Sequence, residues 1–253
     1  MSMGRVRSAA TPSASVTAMT VVLVGGGPDT VTDPSVVAPF VAWLRRADRR
    51  PRVAYVIFDV DGSADAYLPQ YVELLSYAEH EVVPILAGPG RLIEPEAFTT
   101  IDAVVVAGGP TPGYYASLRP AFDAIGRLVR DGGAYLGFSA GAMIAPQQAI
   151  LGGSRWHGVD VCPEEWSEGL DELEIAEGIG LFPHPVEVHV AQAGTLGNLV
   201  TLAQDGVAST LLGIDEDTSV LVDEDGAWTR HGSGAVWAVE AHQGSARVRR
   251  HVR

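Results

Sequence analysis

The chain has 253 residues with 31 acidic and 17 basic side chains, a formal charge of −14, and every basic residue is Arg because there is no Lys. This excludes a Schiff-base lysine, a P-loop lysine and a Ser–Lys dyad; Arg5, Arg7, Arg247, Arg249, Arg250 and Arg253 cluster at the two ends, so the body between them is acidic and unsuited to nucleic acid. A content of 47% hydrophobic and 19% charged residues excludes a disordered chain or a coiled coil, no apolar run approaches the roughly 18 residues that span a bilayer, and the length suits one α/β domain.

Residues 1–18, rich in Ser, Ala and Thr, read as a disordered leader rather than a secretory signal. Thr20–Val24 reads as a buried strand running into the turn Gly25-Gly26-Gly27, which lacks the spacing of a dinucleotide loop. Val36–Arg46 has helical apolar spacing, and Val53–Phe58 is a strand. Ala64–Glu79 is an amphipathic helix, and Val82–Leu86 and Ile101–Ala107 are strands. Pro120–Arg130 is a helix ended by Gly132-Gly133, and Ala134–Phe138 is a strand leading into Ser139. This strand–helix rhythm, with unbroken apolar strands, predicts a three-layer, doubly wound α/β fold with a mostly parallel sheet. After about residue 205 short strands follow at Thr210–Ile214, Ser219–Val222, Trp228–His231 and Ala235–Ala241, which predict an antiparallel C-terminal edge. A single domain is expected over 19–243, with a solvated basic tail over 244–253. Asp215, Glu216, Asp217, Asp223, Glu224 and Asp225 lack EF-hand spacing and read as solvated hairpin edges. Cys162 is the sole cysteine, which excludes an intrachain disulfide and fits a reducing, cytoplasmic setting.

Gly137-Phe138-Ser139-Ala140-Gly141 is a G-x-S-x-G sequence between a predicted strand and a helix, the setting of a nucleophile elbow. Such a turn presents Ser139 at the C-terminal edge of the sheet and lets the Ala140 N–H donate to an oxyanion. A serine nucleophile needs a base. His157, His184 and His189 follow the elbow; His184 sits between two prolines, and His189 closes the polar face of an alternating Val186–Val190 strand.

The elbow, the Gly108-Gly109 loop and the segment Gly178–Leu199 together resemble the S51 serine peptidases. That family includes aspartyl dipeptidase (peptidase E) and cyanophycinase and shares its fold with class I glutamine amidotransferases. Gly180-Leu181-Phe182-Pro183 followed by Glu187-Val188-His189-Val190 is similar to the stretch that ends in the family's catalytic histidine, and Gly213–Thr218 is similar to the segment that follows it in cyanophycinase-like members. The resemblance implies Ser139 as nucleophile, His189 as base, and an oxyanion hole near Gly108, Gly109 and Ala140. The window where the family places its third triad acid holds no carboxylate, so Asp160 is the expected acid, with Glu187 second because it would share the strand face of His189. The Gly-Gly loop continues as Pro110-Thr111-Pro112, and Pro110 has no N–H to offer. The arginines that hold acidic substrate groups in the family are absent from Ala193–Asn198.

The resulting expectation is a serine hydrolase acting on a small peptide, without cofactor or metal, contacting neither nucleic acid nor membrane, and with a homodimer as an admissible assembly. An α/β-hydrolase esterase and a non-catalytic amidotransferase-like binding module are the alternatives.

Overall fold

The structure, a computed structural model, describes residues 19–252, so the expected leader over 1–18 lies outside the described residues. The first half of the chain is built from β1 (Thr20–Val24), α1 (Ala38–Arg46), β2 (Arg52–Phe58), α2 (Ala64–Leu74), β3 (Glu81–Ala87), β4 (Ala103–Val106), α3 (Thr111–Leu118), α4 (Phe122–Arg130) and β5 (Ala134–Phe138). Every residue of β1, β4 and β5 is buried, as in strands covered on both faces. β3 is partly exposed and carries Pro84, whose missing N–H is tolerated at a sheet edge. In α4 the buried residues Phe122, Ile125, Gly126 and Val129 recur at helical spacing, while Asp123 in the first turn and Arg127 and Arg130 in the last complement the helix dipole.

The second half begins with the single turn α5 (Ala140–Met143) and continues through β6 (Gln148–Gly152), β7 (Arg155–Trp156), β8 (Val159–Asp160) and β9 (Glu174–Glu177). These four strands form two small antiparallel pairs, β6 with β9 and β7 with β8. β10 (Val186–Val188), α6 (Val190–Ala193), α7 (Leu196–Gln204), β11 (Thr210–Ile214), β12 (Thr218–Val222), β13 (Trp228–Gly232), β14 (Val236–His242) and β15 (Ser245–His251) complete the described chain.

The central sheet has the strand order β13-β12-β1-β5-β4-β2-β3. Its five strands from β1 to β3 run parallel, and β12 and β13 add an antiparallel edge. Helices cover both faces, so the expected three-layer α/β fold is present. The register pairs Val24 with Phe138 and Val106 with Gly137, which brings the C-terminal ends of β1, β4 and β5 together beneath Ser139. A second sheet, ordered β10-β11-β14-β15, stands beside it.

Beyond the expected antiparallel edge, the structure refines one expectation, corrects another and adds a helix. The C-terminal strands divide between two sheets, because the turn from Asp215 to Asp217 carries the chain from β11 in one to β12 in the other. Residues 245–251 of the expected tail are a strand paired along its whole length with β14. There the Arg250 guanidinium lies 5.1 Å over the Trp237 ring and Arg249 meets Glu240 at 3.2 Å, so arginine stems cover the sheet while their charges reach water. Finally, Thr111-Pro112 opens the unforeseen helix α3, since proline suits the first turn, where its N–H has no partner to lose.

Candidate active site

Ser139 sits between β5 and α5 with φ 47° and ψ −110°, a conformation that a non-glycine residue adopts only when its surroundings impose it. Its N–H donates to the Val24 carbonyl at 3.0 Å, and its own carbonyl accepts from the Ala142 N–H at 2.8 Å. The flanking glycines are required sterically. A Cβ on Gly137 would lie 2.4 Å from the Gly141 carbonyl oxygen, and one on Gly141 would lie 2.4 Å from that of Val106. The G-x-S-x-G spacing is therefore what lets the chain reverse tightly and expose the hydroxyl.

The Ser139 hydroxyl is 3.0 Å from His189 Nε2, and His189 Nδ1 is 2.7 Å from Glu216 Oε1. With Nδ1–H donating to the Glu216 carboxylate, Nε2 is left as the acceptor for the serine hydroxyl. The three groups form one continuous relay. His189 reaches it differently from the alternating-strand expectation. Its strand, β10, ends at Val188 and belongs to the second sheet, and His189 itself is left-handed at φ 51°. The His189 N–H donates to the Gly25 carbonyl, while the Gly25 N–H donates to the Thr218 carbonyl, both at 3.0 Å. The end of β1 thus ties the histidine and the acid-bearing turn to the edge of the central sheet.

Glu216 is held by the two aspartates beside it. Asp215 is buried and accepts from the Ala191 N–H, the Ala235 N–H and Trp237 Nε1 at 2.8–3.1 Å. Asp217 accepts from the Thr32 N–H and hydroxyl, the Asp33 N–H and the Ser233 hydroxyl. Burial raises the Asp217 pKa, but these hydrogen bonds outweigh it and hold the carboxyl below its ordinary value. With both neighbours committed to the scaffold, only Glu216 faces the imidazole. The expectation of a solvated acidic hairpin fails here because the acids bind backbone N–H groups.

Neither expected acid reaches His189. Asp160 is exposed on β8, where its carboxylate pairs with Arg155 at 3.4 Å. Glu187 points into the interior, where it accepts from Asn198 Nδ2 at 3.0 Å and from the Val188 N–H at 3.1 Å. The shared-face argument for Glu187 fails because His189 has already left the strand. His184 packs edge-on against Phe182, and Trp156 and His157 gather on Asp205. We expect Glu216→Gln to lower kcat on the order of 10³- to 10⁴-fold, as loss of the orienting acid does in triads, and Asp160→Asn to leave it within about twofold, since exposed ion pairs contribute little. Steady-state kinetics of the two variants checks this.

Burial pushes the Glu187 carboxyl up to about 7, against hydrogen bonds from Asn198 and Val188 that lower it. A folded-state pKa above the unfolded one gives stability that is present below about pH 4.5 and is lost as the pH rises through about 7. Glu187→Gln should therefore raise Tm by several degrees at pH 8, with the gain closing towards pH 4. Thermal melts at the two pH values test this.

Ser139, His189 and Glu216 open onto a cleft of about 720 Å³ at the C-terminal edge of the sheet. Phe58, Tyr67, Tyr71 and Trp166 form much of its wall, Asp29 and Glu216 are its acidic members, and among the described residues no Arg lines it. The Trp166 ring lies 5.5 Å from the His189 ring, and nothing in the sequence pattern singled it out. Two residues on, the Glu168 carboxylate accepts from the Thr111 hydroxyl at 3.1 Å and N–H at 3.4 Å, fastening this segment to the glycine loop. A cleft of similar volume, about 700 Å³, lies around Trp43, Asp102 and Gly133, and none of the described residues lining it is Ser, Cys or His.

On the oxyanion side, the Ala140 N–H opens α5, where helix geometry leaves it without an intrahelical acceptor. The Gly108 N–H is occupied, since it donates to the Tyr71 hydroxyl at 2.8 Å. The Gly108 carbonyl accepts from the fully buried Tyr114 hydroxyl at 3.4 Å. In a trans peptide the N–H points opposite to the carbonyl, so this contact turns the Gly109 N–H away from Tyr114, and Gly109 itself lines the cleft. Among the described residues no group of three or more His, Cys, Asp or Glu side chains is placed to hold a metal ion. No helix among them is long and apolar enough to cross a membrane.

No family model and no curated protein matches the chain. Two peptidases are among the solved structures similar to it. A peptidase from an acI-B1 Actinobacterium aligns with a TM-score of 0.64 at 15% identity, covering 93% of this chain and 97% of its own. A protein provisionally named Peptidase E from Listeria monocytogenes EGD-e aligns with a TM-score of 0.54 at 14% identity, covering 85% of this chain and 98% of its own. At these identities the likeness is one of architecture, and it shows that the chain shares the fold of these two proteins.

Proposed function

We propose that this chain is a serine peptidase of the S51 type that hydrolyses small peptides. The observation that carries the reading is the unbroken relay from the Ser139 hydroxyl through His189 to Glu216, at 3.0 and 2.7 Å, on a strained elbow facing a cleft. His189 Nε2 takes the Ser139 proton as Oγ attacks the scissile carbonyl carbon. The carbonyl oxygen gains negative charge and is met by the N–H groups of Ala140 and Gly109. Glu216 keeps the imidazole oriented and stabilises it when it is protonated. His189 then gives the proton to the departing amine, and water enters by the same route to release the acyl group from Ser139.

The order of residues argues against the esterase alternative. Here the acid at 216 follows the histidine at 189, whereas α/β-hydrolases place their acid between serine and histidine. The binding-module alternative drew its support from a missing carboxylate and from Pro110, and the 2.7 Å contact of Glu216 with His189 weighs against the first. Among the described residues the cleft offers Asp29 and Glu216 but no arginine, so an acidic substrate side chain would be desolvated without a partner there.

The test is turnover of a dipeptide panel beside p-nitrophenyl esters. Cleavage of peptides with uncharged side chains is expected. Ester hydrolysis without peptide cleavage would favour an esterase, and turnover of neither would favour a binding module.

A further inference from the structure

We propose that the Tyr71 hydroxyl is a catalytic hydrogen-bond donor, a side-chain member of the oxyanion hole beside the backbone N–H groups. The proposal rests on the serine-peptidase reading and adds a residue to it.

One peptide group and two phenols meet at the glycine loop. Tyr71 Oη accepts from the Gly108 N–H at 2.8 Å, and its own proton has no acceptor among the described residues. Tyr114 is the contrasting case. Its oxygen accepts from the Phe58 N–H at 2.8 Å, and its proton is directed at the Gly108 carbonyl at 3.4 Å. One phenol is therefore committed to the loop, while the other keeps a free donor on the side of the cleft, which Tyr71 lines together with Gly108, Gly109 and Ser139. A Cβ built on Gly108 would lie 3.3 Å from Ser139 Cβ and 3.4 Å from the Tyr71 hydroxyl. The space over that glycine is thus bordered by the nucleophile's side chain and the phenol together.

Tyr71 is also held in place. It is only 4% exposed, and its ring packs edge-on against Phe138, the residue before the serine, at 5.1 Å. Burial pushes its pKa up to about 12, so the group keeps its proton at neutral pH. The N–H bonded to its oxygen polarises the O–H and strengthens it as a donor. A donor fixed before the charge develops is the arrangement that favours a transition state over a bound substrate.

The experiment is Tyr71→Phe, which removes one oxygen and keeps the ring. kcat for a cleaved dipeptide should fall on the order of 10²-fold with KM nearly unchanged. Loss of the Gly108 contact could also move the loop, so two inhibitors separate the roles. An amino aldehyde matching the residue before the scissile bond adds to Ser139 and places an oxygen in the hole; the corresponding amino alcohol cannot. Y71F should weaken the aldehyde on the order of 10²-fold and leave the alcohol within about twofold. Equal weakening of both, or a kcat within about twofold of wild type, would overturn the proposal. If the wild-type chain itself forms no aldehyde adduct at Ser139, the nucleophile assignment falls and takes the proposal with it.

Discussion

Ser139→Ala should abolish peptide hydrolysis, lowering kcat by at least about 10⁴-fold, while the protein melts close to the wild-type temperature. The substitution removes only the hydroxyl, whose partner in the fold is the His189 ring at 3.0 Å. The elbow depends on the backbone bonds of residue 139 to Val24 and Ala142 and on its glycine neighbours, and alanine retains all of these. Any cleavage that persists would come from direct attack of water on a carbonyl whose oxygen the oxyanion donors still stabilise. Activity near wild type in the variant would remove Ser139 from the reaction.

His189→Ala should cost nearly as much, again on the order of 10⁴-fold or more in kcat, because a serine hydroxyl is a weak nucleophile at its own pKa. Members of one relay are not additive, so the Ser139→Ala, His189→Ala double variant should be no slower than either single one. His184→Ala is the control. That ring packs on Phe182 and burial lowers its pKa, but it makes no contact with Ser139, so its loss should change kcat by less than about tenfold. Kinetics of the four variants on one dipeptide tests both statements, and a larger cost at His184 than at His189 would reverse the assignment.

The central sheet and the elbow were legible in the sequence because each is enforced locally. A strand buried on both faces must be an unbroken apolar run, as Val21–Val24 and Ala103–Val106 are. A reversal as tight as the one at Ser139 admits only glycine at 137 and 141. The histidine was legible by resemblance, whereas the strand periodicity that also pointed to it stops one residue short, at Val188. Glu216 was hidden for a physical reason. In a run of Asp, Glu and Asp the middle residue is distinguished only by what its neighbours bind, and those partners come from Thr32, Ala191, Ser233 and Trp237, far away in the chain. Trp166 and Tyr71 were hidden similarly. The first lies in an aperiodic stretch between small strands, and the second occupies an ordinary apolar position of α2.

The central claim is that the His189–Glu216 pair makes Ser139 a nucleophile. Labelling of the intact protein with a fluorophosphonate probe, followed by mass-spectrometric mapping of the modified peptide, tests it most directly. One adduct per chain is expected, located on Ser139, formed rapidly by the wild type, far more slowly by Glu216→Gln and not at all by His189→Ala. Absence of labelling in the wild type, or an adduct on any other residue, would contradict it.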